Sequence, residues 1–189
     1  MHHPAPASPS EPDLTAPGLY LSRELAALEF NFRVLAMARN AGVPLLERLR
    51  YLSIVANNLD EFFEVRVAML KHHHAYGSAA PGPDGIPSGE LLARIRSRVL
   101  DLVAEVYAAW QEQISPQLDA ERIHILTRKR WNPRQRRWLQ GYFEHEVLPV
   151  LSPLGLDPAH PFPRILNKTM NIAVVLKGRD AFGHEGHMA

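Results

Sequence analysis

Pro44 to Phe63 reads PLLERLRYLSIVANNLDEFF, and the way this stretch divides decides the fold. Leu45, Leu49 and Leu52 recur at steps of four and three, which places them on one face of a helix. Pro44 suits the first turn of that helix, and Arg48 and Arg50 are expected to point away from the apolar face. The rhythm then meets Asn57 and Asn58. Adjacent asparagines are poor inside a helix because their amides compete for nearby backbone groups, but they are good at its start. The pattern therefore predicts a break here. Asn58 would be the N-cap of a new helix, with Asp60 in its first turn and Glu61 at capping-box spacing. That helix would carry Leu59, Phe62, Phe63, Arg66 and Leu70, and fade through Lys71 and His72, His73 and His74 towards Gly77.

Upstream, Leu25, Leu28, Phe32 and Leu35 share a face, with Ser22 as N-cap, Glu24 in the first turn and Gly42 as a stop signal. Downstream, the Gly/Pro-rich stretch 77–89 reads as a loop. Ser88 and Glu90 then open the longest helix, whose seam is Leu92, Ile95, Val99, Leu102, Val106 and Trp110, and which should kink or end near Pro116. After Glu121 the texture changes. Ile123 to Leu126 alternates like a strand, Asn132-Pro133 starts a helix, and Met170 to Leu176 reads as a second strand. The expected fold is mainly α: a helical bundle followed by the start of an α+β domain that looks truncated, with the tail from Gly178 adding nothing to it.

The chain has 189 residues and no cysteine, which excludes a disulfide framework, thiol catalysis and thiolate metal sites. A formal charge of +1 implies no global steering towards nucleic acid or membrane. Met1 to Pro17 contains five prolines and no apolar run, so a disordered leader is expected and not a signal peptide. No stretch approaches the ~20 apolar residues of a membrane span. A cytoplasmic protein is expected, with peripheral membrane association left open.

Four phrases in register carry a family resemblance: Leu21 to Leu25 with Leu28 to Leu35, Pro44 to Leu52, Asn57 to Phe62, and Asp157 to Pro163 with Asn167-Lys168. Together they resemble the opening of the long, ATP-dependent polyphosphate kinases, over about Leu19 to Leu176. The resemblance implies a leader at 1–18, a helical amino-terminal domain at 19–121 and the incomplete beginning of a head domain at 122–189. It implies an enzyme that transfers the ATP γ-phosphate to polyphosphate through a phosphohistidine, with that histidine, the Mg²⁺ ligands and most ATP contacts beyond this chain. ATP and polyphosphate are the implied partners, the full-length protein is expected to be a homo-oligomer, and no nucleic acid is expected. The chain alone is expected to be inactive. The family role that carries over is one ATP contact, at Asn58. Members often have serine where Ala56 stands, so a minor polar contact is missing here.

On residue chemistry alone Asn58 is a helix cap. The two roles are compatible, because a cap uses the amide oxygen and leaves the NH₂ donors free for a purine. A second candidate is the basic run Arg122, Arg128, Lys129, Arg130, Arg134, Arg136 and Arg137, seven cations in sixteen residues with no carboxylate among them. It would suit a polyanion, against the plainer reading of a solvated face answered by acids elsewhere. The rivals to the kinase reading are thus a helical interaction module without a nucleotide role, and a polyanion or nucleic-acid binder using this run. His72 to His74 with His184 and His187 are better read as exposed side chains than as a metal site, and His160 as a turn residue. No GxxxxGK phosphate loop occurs.

Overall fold

The computed structural model describes residues 13–77, 81–156, 161–179 and 185–188. The chain divides into two compact units, Met1–His124 and Ile125–Ala189. Most of the expected leader, with His160 and His184, lies outside the described residues. Within the described part, Pro17–Leu19 forms a 3-10 turn, and the Tyr20 hydroxyl donates to the Leu14 carbonyl at 2.6 Å.

The first unit is a bundle of three helical rods. The first is α1 (Arg23–Arg39), opened as expected by Ser22, whose Oγ accepts from the Leu25 amide. The second runs without interruption through α2 (Leu45–Glu61), a π turn (Phe62–Val67) and α3 (Ala68–Tyr76), ending on Gly77 in the left-handed conformation at φ 62°. The third joins α4 (Ser88–Ala108), a second π turn (Ala109–Ile114) and α5 (Ser115–Ala120).

The predicted break at Asn58 is therefore absent. Asn58 lies inside α2, and neither its cap nor the capping box with Glu61 forms. What replaces the break is a change of helical register one turn later. At the π turn the Ala68 amide reaches back five residues to Phe63. That pattern lowers the rotation per residue, so residues five apart fall on one face. Phe62 and Val67 are both buried as a result. The second π turn does the same for Ala109 and Ile114. There the Ser115 amide bonds the Trp110 carbonyl, just ahead of Pro116, which has no amide to give. The expected kink is thus absorbed as a π turn, and the helix continues.

Both buried faces feed one core, which includes Leu28, Leu35, Leu52, Val55, Ile95 and Leu102. Arg48, expected to point away from it, is 3% exposed. Its Nε donates to the Ala38 carbonyl at 2.8 Å, and its two terminal nitrogens to the Gln117 and Gln113 side chains at 2.8 and 3.3 Å. The guanidinium satisfies an orphan carbonyl at the end of α1 and ties three rods together. At the surface Arg98 grips both oxygens of Glu29 and lies 3.7 Å from the Phe32 ring centroid, and Arg39 pairs with Glu105 at 2.8 Å. These pairs make α4 run parallel to α1, while α2 runs antiparallel to both.

In the second unit α6 (Pro133–Tyr142) begins at Asn132, as the sequence indicates, with a complete capping box to Gln135. It continues through a π turn (Phe143–Val147) into a 3-10 turn (Leu148–Val150). Neither expected strand forms where it was placed: residues 123–127 and 170–175 belong to no strand. Instead β1 (Leu176–Arg179) pairs antiparallel with β2 (Glu185–Met188), so the tail does contribute a strand. Alternation marks a strand-competent segment, but a ladder also needs a partner edge.

Candidate functional site

Asn58 sits four helical turns into the second rod, and α1 supplies its partner. The Asn58 Nδ2 donates to Asn31 Oδ1 at 2.9 Å, and Asn31 Nδ2 donates to the Ala27 carbonyl at 3.1 Å. Asn31 is 3% exposed and Asn58 is half-buried. The amide relay fixes the plane of the Asn58 side chain and leaves its Oδ1 and one N–H facing outwards, with no partner among the described residues. The sequence-based assignment of atoms is thereby reversed, because the NH₂ group, and not the oxygen, makes the structural contact.

Helical spacing supplies the surroundings. Ile54 precedes Asn58 by one turn on the same face, and Phe30 and Val34 flank Asn31 on α1. Phe30 and Ile54 are partly exposed, and the Arg33 guanidinium lies 5.7 Å from the Phe30 centroid. The site is thus a fixed polar pair in an apolar setting at the α1–α2 seam, beside a π turn, a local irregularity frequent at functional positions. Leu59 and Phe62 pack into the core. Sequence reasoning missed Asn31. Its signal was a lone amide at helical spacing between Leu28 and Leu35, on a face otherwise apolar.

Asn58 lines neither of the two larger cavities described. One, of about 390 Å³, lies among Tyr20, Arg23, His73, Asp84 and Ser88 in the first unit. The other, of about 500 Å³, lies among Leu126, Trp131, Arg134, Trp138 and Leu139 in the second.

The basic run divides between the units. Arg122 closes α5 in the left-handed conformation at φ 63°, in the first unit. The other six cations belong to the second: Arg128, Lys129 and Arg130 on a 3-10 turn, and Arg134, Arg136 and Arg137 on α6. All six are exposed, and among the described residues none has an ion pair. Among the described residues no acid answers these six charges, as one would on an ordinary solvated face. His72 and His73 stack edge-on, and His74 contacts Ser88 Oγ at 3.0 Å. No group of three or more metal-ligating side chains converges among the described residues.

Residues 20–126 match the family profile of the polyphosphate kinase N-terminal domain, and residues 134–189 that of the polyphosphate kinase middle domain. The chain is 53% identical over 98% of its length to a polyphosphate kinase of Xylella fastidiosa strain 9a5c. It is 47% identical over 89% of its length to one of Neisseria meningitidis strain MC58. It spans 26% and 25% of those two proteins. The crystal structure of polyphosphate kinase from Porphyromonas gingivalis superposes on 76% of this chain with a TM-score of 0.59 and 29% identity, over 20% of that chain.

Proposed function

The chain belongs to the polyphosphate kinase family, and from that premise we propose that its helical unit supplies an adenine-side contact to ATP through Asn58. On this reading the protein it forms part of transfers the ATP γ-phosphate to a growing polyphosphate chain by way of a phosphohistidine carried outside this chain.

The observation that supports the contact is the held amide. Asn58 keeps an acceptor oxygen and one N–H donor without a partner among the described residues, in an amide plane set by Asn31. Adenine offers the complement, an exocyclic N–H₂ donor beside a ring-nitrogen acceptor. Because the relay is already formed, little rotamer freedom is lost on binding. The contribution is bounded all the same. Neutral hydrogen bonds contribute about 0.5–1.5 kcal/mol each, so this residue shifts affinity by about tenfold. It orients a base and moves no proton.

Phosphoryl transfer rests on positioning and on neutralising phosphate charge with cations and metal. No cluster of carboxylates suited to Mg²⁺ converges among the described residues.

The test is a titration of the ¹⁵N-labelled chain. ATP and adenosine should shift the Asn58 side-chain amide resonances, while inorganic triphosphate should not. In the enzyme that the chain helps to form, Asn58→Ala should raise the ATP KM by about tenfold with kcat little changed. An unshifted Asn58 amide together with an unaltered KM would establish the rival reading, a helical interaction module with no nucleotide role.

A further inference from the structure

We infer that the cationic segment Arg128–Arg137 of the second unit is a docking strip for linear inorganic polyphosphate. The identity of the occupant rests on the kinase reading above; the existence of an unanswered anion site does not.

The density of unpaired cations in the second unit carries the inference. In the helical unit Arg23, Arg39, Arg50, Arg94 and Arg98 each face a carboxylate, buried Arg48 faces two glutamine amides, and the cations without an ion pair among the described residues (Arg33, Arg66, Lys71, Arg96 and Arg122) are spread along the chain. In the second unit six cations fall within ten residues, and none of their side chains has a hydrogen bond or ion pair among the described residues. Solvated faces intersperse the two signs, whereas clustered like charges repel until a counter-charge arrives. Five of the six are arginine, whose planar fork matches phosphate oxygens in pairs.

The backbone beneath them is pinned. The Arg130 amide donates to the Thr127 carbonyl at 2.9 Å, Trp131 Nε1 to the Leu126 carbonyl at 3.3 Å, and the Asn132–Gln135 capping box fixes the start of α6. The cations therefore project from a set frame, and an arriving chain has only their side chains to order.

The aromatic neighbours favour a base-free polyanion over a nucleic acid. Trp138 and Tyr142 stack on each other at 5.4 Å with their planes 15° apart. Each ring thus spends one face on the other, where a base-stacking platform would leave rings apart to receive bases. Polyphosphate needs only charge, roughly one per phosphate.

Six contacts imply a log–log salt slope of about −4 for a flexible polyanion, hence roughly 300-fold weaker binding at 200 mM than at 50 mM salt. The test measures anisotropy of labelled long-chain polyphosphate with the 189-residue chain. Substituting glutamine at Arg128, Arg130, Arg134 and Arg137 together should reduce the slope to about −1.4. The corresponding lysine variant should retain a steep slope, and Arg50→Gln/Arg94→Gln should bind like the parent. An unchanged slope in the glutamine variant, with far-UV circular dichroism intact, would remove the strip as the site. Tighter binding of single-stranded RNA of equal charge, weakened by Trp138→Ala, would overturn the choice of occupant. Asn58→Ala should bind polyphosphate normally, so failure here and failure of the adenine contact are separate results.

Discussion

A double-mutant cycle on Asn31 and Asn58 separates what the amide pair does for the fold from what it does for a ligand. Asn58→Ala removes one neutral hydrogen bond and strands the Asn31 Oδ1 in a position only 3% exposed. The bond contributes about 1 kcal/mol and a buried unsatisfied acceptor costs about 1–3 kcal/mol, so a loss of about 2 kcal/mol is expected. Asn31→Ala also breaks the pair, but half-buried Asn58 can turn its NH₂ group to water. With Asn31 gone, adding Asn58→Ala should cost little more, which makes the coupling about 1–2 kcal/mol. Asn58→Asp should be worse than alanine, because it sets a carboxylate oxygen against the Asn31 oxygen. The double leucine variant should recover most of the stability, since replacing both partners by apolar groups leaves nothing unsatisfied. Urea unfolding followed at 222 nm, with all variants at equal m-value, reads these differences directly. Additive single-mutant losses would refute the relay. A double leucine variant that folds yet loses the adenosine response would show that the two roles of Asn58 are separable.

Two further outcomes follow from the first unit. The Arg98 guanidinium holds the Glu29 carboxyl below the usual carboxylate range, chiefly by hydrogen bonding, against a smaller opposing effect of burial. A carboxyl depressed in the folded state adds stability that is present above its unfolded value and lost as pH falls through its folded one. Glu29→Gln should therefore differ from the parent in urea midpoint above about pH 5 and converge with it in acid; a constant difference down to acid pH would show that packing, not charge, is responsible. The π turn behaves as a one-residue insertion, so deleting exposed Val65 should restore ordinary helical register and preserve a cooperative transition. Deleting Ile54, inside α2, should rotate Arg48 and Leu52 away from the core relative to Phe62, and abolish that transition.

The parts that were legible in the sequence are those whose chemistry is local. Ser22 caps α1, Asn132 opens α6 with a capping box, and Gly77 ends α3 in a left-handed conformation that few other residues accept. The parts that were not legible depend on partners far along the chain. Arg48 is separated by 65 and 69 residues from the glutamines it bonds. β1 exists because residues 185–188 lie beside it, while the more apolar stretch 170–175 before it finds no edge.

Asn58 shows how such an error reaches function. As a helix cap it would consume its oxygen and offer donors alone, which suits any base edge bearing an acceptor. Inside α2 it gives a donor to Asn31, 27 residues away, and offers an oxygen beside the remaining N–H. On the proposed contact, an adenine edge, with donor and acceptor adjacent, would engage both atoms. The N7/O6 edge of guanine presents two acceptors, engages only the N–H and sets O6 against the amide oxygen. Unmatched polar groups at a dry contact discriminate more strongly than matched ones attract. On the proposed contact, selectivity for adenine would therefore come from the α1–α2 pairing, and it would vanish if the helix broke where its two asparagines suggest.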